Sequence, residues 1–541
     1  MTLPENSPLR ARGYTWIEVI SILAIFALHA AYAVPDSNEA HYLGKARHYW
    51  DNQWCAGDFF LESADAHQVF YWTFGWLTKY FPLSCVAWIG RWITWSLLAW
   101  SWQRLSWSIV PKRGIAILTA ALFIGANERW HMAGEWVVGG VEAKGVAYAL
   151  TFFAIESMVR GRWNRTWIFL GLASAFHVLV GGWAAIAAGV AWLLSGRAER
   201  PALLSMAPSL GLAALLALPS LWLGLALTSG TDASVIAGAN QIYVFKRLGH
   251  HLDPSAFADG FLLRHMVLAA VWLMLAVLVP LRSRGDRTFR IFITTTFVIA
   301  LVGIVLSLVL REYPDRLAAI MRYYWFRSSD AYIPVGMALL TGSMVSLALQ
   351  RHRALGIVGT ALLCIFVALD SYPHFAHVPL TLWPGKPAVT PRADKHLNHA
   401  DWLDACRWAR ENSTPEQRFM IPRHASTFAW YAERPEVVNW KDTPQDATSI
   451  VEWWDRLQRL HGTGLADPEW RKTYGQLGIA ELTALVKRYN IAYVISQRRD
   501  DLGTIPMKPI YENPSFAIYS AEQLLQAAGE NNTPPVTADP P

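Results

Sequence analysis

Cysteine is scarce in this chain: four in 541 residues. Cys55, Cys85, Cys364 and Cys406 are scattered without close metal-ligand spacing, so the sequence offers neither a zinc site nor a disulfide framework. Charge is scarce as well, at 16% of residues against 53% hydrophobic. That balance excludes an ordinary soluble enzyme and implies a polytopic membrane protein with room for one added soluble domain. Also missing are a Gly-rich phosphate loop ending in Lys-Ser/Thr, a nucleophile elbow and a zinc-protease helix. Sugar-nucleotide or ATP chemistry on the cytoplasmic side therefore has no support. The net charge of +6 does not argue for nucleic acid, because the basic residues fall in short turns between apolar segments. There is no internal repeat.

What is present is tryptophan, 28 residues of it, a side chain that favours membrane–water interfaces. Trp16 to Val34 is nearly all apolar and long enough to cross a bilayer core of about 30 Å. It lacks a convincing cleavage site and reads as a retained anchor. Arg10 and Arg12 precede it, which puts the amino terminus in the cytoplasm by the positive-inside rule. Further spans are expected at 81–102, 114–126, 145–158, 202–227, 266–281, 288–310, 331–349 and 354–369. The apolar stretch 166–194, broken by His177 and Gly181-Gly182, reads as two short helices meeting near the outer surface. The expectation is an α-helical polytopic membrane domain over 1–372 with about 11 transmembrane helices in the bacterial inner membrane. Its outer loops would be 35–80, 127–144, 228–265 and 311–330. Residues 373–394 read as a Pro-rich linker, 395–525 as a soluble α/β domain on the outer, periplasmic face, and 526–541 as a disordered tail. Helix and strand signals alternate across 395–525, as in a mixed sheet covered by helices.

Chemistry-bearing residues concentrate in the expected outer loops. Asp36 and Glu39 follow the first span and, three residues apart, would share one helical side. They suit general-base work or metal binding, or simply cap a helix. Asp58, Glu62 and Asp65 would line one face of an interfacial helix, either as a site or as a solvated surface. Glu142 and Lys144 follow Gly139-Gly140 and either form a site or pair with each other. Arg247, His250 and His251 would bind a phosphate or polarise a leaving group; only one of two adjacent histidines can face a site in regular structure. Arg322 and Arg327, amid aromatics, suit a lipid phosphate headgroup or interfacial anchoring. His177 reads as a satisfied core histidine or an intramembrane functional group.

The Asp36/Glu39 pair, the many outer loops and the outer α/β domain together resemble the GT-C superfamily of integral-membrane glycosyltransferases. So do the phrases Trp408-Ala409-Arg410-Glu411-Asn412-Ser413-Thr414-Pro415 and Leu485-Val486-Lys487-Arg488-Tyr489-Asn490-Ile491-Ala492-Tyr493-Val494-Ile495. The Gly-Gly-x-Glu-x-Lys stretch, His250-His251-Leu252-Asp253-Pro254 and Val437-Val438-Asn439-Trp440-Lys441 resemble an uncharacterised group of bacterial multi-span proteins more closely. The resemblance implies transfer of a sugar from a polyprenyl-phosphate-linked donor to a glycan, lipid or protein acceptor. Asp36 or Glu39 would act as base, and a divalent cation (Mg or Mn) would assist in some members, with Asp36, Glu39 and His250 as its ligands. Arg247, Arg322 and Arg327 would neutralise the departing lipid phosphate. The motif here is Asp-x-x-Glu rather than the adjacent Asp-Glu of several branches, which leaves the base and the metal open. Two alternatives stand beside this reading: a transporter or flippase of lipid-linked glycan, and a non-catalytic assembly protein.

Overall fold

A computed structural model describes residues 8–196, 200–382, 389–463, 469–499, 501–527 and 529, with side chains described from Thr15 onward except for 370–382. Every stretch expected as a span forms a helix. The helices are Pro8–Ala30, Leu83–Ile109, Ile115–Arg129, Ala143–Val159, Trp163–Phe176, Val178–Leu194, Leu203–Ala226, Phe261–Leu278, Arg284–Val309, Arg327–Arg351 and Arg353–Leu382. Among the described residues four are long and apolar enough to cross a membrane: Leu203–Ala226, Phe261–Leu278, Arg284–Val309 and Arg327–Arg351. These are the helices of a membrane protein. Leu204 and Val277 keep 87% and 83% of their surface exposed, the outward apolar face that lipid rather than water accommodates.

The chain divides into two compact units. The first comprises 1–31, 88–226 and 232–387, and the second 32–87, 227–231 and 388–541. The first is a helical bundle around fully buried Trp95, Trp102 and Trp272, with Trp102 stacked on Phe123 at 4.6 Å between ring centres. The break expected within 166–194 falls at His177, whose backbone leaves the helical region at φ −152° and ψ 101°. Gly181 lets the two short helices fold tightly together: a Cβ there would run into the amide nitrogen and side chain of Ser174.

The second unit joins the first loop to the carboxy-terminal segment. Its sheet has the order β1–β2–β4–β3. β1 is Arg418–Met420, β2 Ile491–Gln497, β3 Tyr511–Glu512 and β4 Phe516–Ser520. β1 and β2 run parallel, and the other two pairings are antiparallel, so the mixed sheet matches expectation. Helices His399–Glu411, Ala447–His461 and Ile479–Arg488 accompany a core of Trp402, Phe419, Ile495 and Ile518. Each buries one apolar stripe, as with Trp402, Ala405, Cys406 and Ala409 on the first of them. The strand expected at 436–439 shrinks to one bridge, Phe419 with Glu436.

Two boundaries move. The helix starting at Arg353 runs to Leu382, through the first ten positions of the expected linker. Apolar residues continue there, and proline removes one helical hydrogen bond without always ending the helix. The loop 35–80, expected as an appendage of the membrane domain, belongs instead to the same unit as residues 388–541.

Candidate functional sites

In the helical unit, a loop is built before it is functional. Asn127 donates its amide to the carbonyls of Glu135 (3.2 Å) and Asp330 (3.1 Å) and accepts from the Val137 N–H (3.1 Å). The fully buried Asp330 carboxylate accepts backbone N–H bonds from Met132 (2.7 Å), Ala133 (2.9 Å) and Glu135 (3.3 Å). His265 braces the same place, bonded to the Trp130 carbonyl and to the Ser329 hydroxyl, both at 2.8 Å. Gly134 turns the loop at φ +76°, with the His251 ring 2.9 Å from where a Cβ would stand. These contacts fix the backbone of Glu135 and aim its side chain inward.

Glu135 is the centre of the cluster. Its Oε2 accepts from Arg327 Nε at 3.0 Å, and its Oε1 accepts from the Tyr148 hydroxyl at 3.0 Å and faces Lys144 Nζ at 3.5 Å. Lys144 sits 3.5 Å from the centre of the Trp136 ring and 3.9 Å from Glu142, which accepts from Trp136 Nε1 at 3.1 Å. Arg327 also meets His177 Nε2 at 3.0 Å and covers the Tyr324 ring at 3.9 Å. Two cations, two carboxylates and a histidine are thus gathered with little water access. Such a group holds an oxyanion when one carboxylate yields its cations.

Of the residues expected from sequence, Glu142, Lys144 and Arg327 come together here, and His177 joins them. Glu142 and Lys144 do pair, as one of their two readings had it. His251 borders the loop through Nδ1 and the Ala133 carbonyl, and burial, then the neighbouring His250, holds its pKa well below the usual imidazole range. His250 is exposed and lies ring to ring with it at 4.0 Å. Arg322 instead donates to Asn240 at 2.5 Å, and Arg247 ends the short helix Ile242–Arg247. Glu135, Tyr148, Asp330 and His265 were not expected as a framework. An acid standing inside His131-Met132-Ala133-Gly134-Glu135-Trp136 was the available signal for Glu135.

In the second unit Asp36 and Glu39 are both buried and lie side by side, but not on one helical face. The helix begins only at Glu39. Glu39 Oε2 accepts the Asp36 N–H at 2.7 Å and Asp36 Oδ1 accepts the Ser37 N–H at 2.7 Å, while Arg392 stands 3.8 Å from Asp36. Nor do Asp58, Glu62 and Asp65 share a helical face: the helix Phe59–Glu62 is a single turn capped by Asp58, and Ser63 ends it. Among the described residues no group of three or more His, Cys, Asp or Glu is gathered that would hold a metal ion.

A different polar centre occupies this unit. His41 Nδ1 bonds Asp442 Oδ1 at 3.0 Å. Asn439 takes the Lys441 and Asp442 N–H groups on its carbonyl oxygen (2.8 and 2.9 Å) and so points its NH₂ at Asp442 Oδ2 (2.7 Å) and at Glu436. Asp58 accepts from the Leu61 and Glu436 amides; burial raises its pKa to about 6, opposed by those amides and aided by Asp442. Burial likewise pushes Glu436 well up, with Asp58 adding to it. Lys45, buried among these acids, is lowered by desolvation against the pull of Asp65. Burial works to raise Asp65, but His67, with Lys45 behind it, outweighs that and holds the acid well below the carboxylate range.

A family model described as a domain of unknown function (DUF6798) matches residues 400–460. Among curated proteins nothing matches. Among solved structures the chain is similar to a single-particle cryo-electron-microscopy structure of a mutant arabinofuranosyltransferase AftD from mycobacteria, at a TM-score of 0.45 and 13% identity over 94% of this chain. The chain spans 41% of the length of that structure.

Proposed function

We propose that the chain is a membrane glycosyltransferase that moves a sugar from a polyprenyl-phosphate-linked donor to an acceptor at the outer face of the membrane. One observation carries this reading: an apolar groove of about 720 Å³ that ends beside the Arg327 cluster. Its walls come from helices Val178–Leu194, Phe261–Leu278 and Arg284–Val309, with Arg290 towards one end and Trp183 and Trp325 at the other. From Arg290 to Val302 the wall rises roughly 18 Å at 1.5 Å per residue, a length suited to several prenyl units. Trp325 is two positions before Arg327, and Trp183 lies on the helix that His177 caps. Trp183 and Trp325 pack at 4.9 Å, and the Trp183 indole N–H holds the Tyr323 carbonyl at 2.8 Å.

A lipid tail in this groove places its phosphate at Arg327, with Lys144 the next cation. The acceptor hydroxyl attacks the anomeric carbon, the bond from that carbon to the phosphate oxygen breaks, and the electron pair leaves with the phosphate. Arg327 and Lys144 stabilise the charge gained there. Asp36 is the proposed acceptor base, taking the hydroxyl proton. The test is release of free polyprenyl phosphate in proteoliposomes supplied with a panel of polyprenyl-phosphate sugars. Arg327→Gln is expected to lower release at least 100-fold, within the range for losing one charge-stabilising donor, and Asp36→Asn to abolish it at unchanged donor binding. Release by both variants at the wild-type rate would overturn the reading.

A further inference from the structure

The second unit holds a cavity whose chemistry the transfer reaction does not use. It measures about 120 Å³ and is lined by Arg423, Arg471, Lys472, Arg499, His424 and His461, together with Thr473 and Gln497. No Asp or Glu is among its described lining residues. Arg471 and Arg499 each have an acidic partner, Glu481 at 3.3 Å and Asp501 at 3.2 Å, neither of which lines the cavity. The half-buried Arg423 guanidinium lies against ring faces, Trp470 at 4.7 Å and Trp440 at 5.5 Å.

A concave site with this excess of positive charge, part of it desolvated, is costly unless an anion completes it. Two titration shifts agree with that potential. Burial brings Arg423 down to about 10. Burial, then Arg423, His424 and Arg471, push His461 down to about 3, so it stays neutral. Beside the cavity, half-buried Trp440, Trp454 and Trp470 meet edge to face at 5.4 and 5.8 Å. Indole faces next to an oxyanion site are the surface on which a sugar ring packs. The volume accommodates one phosphoryl group and not the ring as well.

We propose that this cavity binds the phosphate group of a phosphorylated sugar, with Arg423 and Lys472 on the phosphate and the tryptophan cluster under the ring. Arg423 supplies a planar fork that matches two phosphate oxygens, and exposed Lys472 adds a point charge. The site does not depend on the transferase reading, since binding here requires no reaction.

The experiment is isothermal calorimetry on the full chain in nanodiscs of neutral phosphatidylcholine. The probes are glucose 1-phosphate, inorganic phosphate, glucose and glucuronate. Expected are saturable binding of glucose 1-phosphate, weaker competing binding of inorganic phosphate, and none of glucose. Arg423→Gln should weaken the sugar phosphate at least about tenfold, the equivalent of one charged hydrogen bond. Lys472→Gln, at an exposed position that folding does not need, should weaken it about threefold. Arg459→Gln, in an exposed pair with Asp455, should change nothing. The proposal is overturned if glucose 1-phosphate fails to saturate, if both cavity variants bind it as the wild type does, or if glucuronate binds in preference. Equal affinity for inorganic phosphate and glucose 1-phosphate would overturn the sugar-ring contact.

Discussion

Replacing Glu135 with Gln removes one negative charge from a buried cluster and little volume. Arg327 Nε lies 3.0 Å from the carboxylate and Lys144 Nζ 3.5 Å. At an effective dielectric of about 20, a contact of about 3 Å is worth roughly 5 kcal/mol before desolvation. Breaking one side of a buried pair lowers stability by about 3–5 kcal/mol, because the partner charge stays buried. Glutamine keeps an acceptor oxygen for Arg327, which returns about 1 kcal/mol. The expected net loss is therefore about 2–4 kcal/mol, a fall of about 3–6 °C in thermal unfolding of the detergent-solubilised protein, at roughly 2.1 cal/mol/K per residue of the helical unit. Farnesyl phosphate should raise the melting temperature of the variant more than that of the wild type, because its phosphate replaces the missing charge. A variant that melts with the wild type would refute the account of Glu135 as the charge holding both cations. A phosphate effect equal in the two proteins would refute the cluster as the phosphate site.

Asp58 makes a pH prediction. Its folded pKa, about 6, lies above the unfolded value of about 3.9, so the fold favours the protonated acid. That contribution is complete below about pH 4 and is lost as pH rises through about 6, up to about 3 kcal/mol in all. Asp58→Asn should flatten the decline of stability between about pH 4 and pH 7, measured by thermal unfolding; an unchanged slope would remove Asp58 from the account. Gly181→Ala should destabilise by about 1–3 kcal/mol through overpacking against Ser174, although alanine is the better helix former by about 1 kcal/mol. If chemical denaturation finds this variant at least as stable as the wild type, the two short helices do not need a glycine at their contact with Ser174.

The helices were legible because apolar runs, basic turns and breaks are local properties. His177 followed by Gly181-Gly182 marked the break in 166–194, and its physical cause is local too. Glu142 and Lys144 were readable as a site because they stand two residues apart at the start of a helix. The centre around Asp58 was not readable: its partner amide at Glu436 is 378 positions away, and no spacing rule spans that distance. The expected strand at 436–439 failed because only its first residues reach β1, through the Pro435 carbonyl and the Val437 amide. β4 escaped notice although Asn513-Pro514 followed by Phe516-Ala517-Ile518-Tyr519 is a turn and an apolar run. The spacing of the Asp-x-x-Glu motif suggests one helical face, but the helix starts only at Glu39 and leaves Asp36 outside it.

The pairing of Asp58 with the Glu436 amide also has a consequence in time. A ribosome adding about 5–20 residues per second takes roughly 20–75 s to pass from one partner to the other. Through that interval the newly made loop has Lys45, Asp58 and Asp65 but not Asp442 or Asp446, which complete their surroundings. Folding of this unit therefore waits until the residues from 388 onward have been made, and a chain cut before residue 388 leaves the first loop without the surface it was built against.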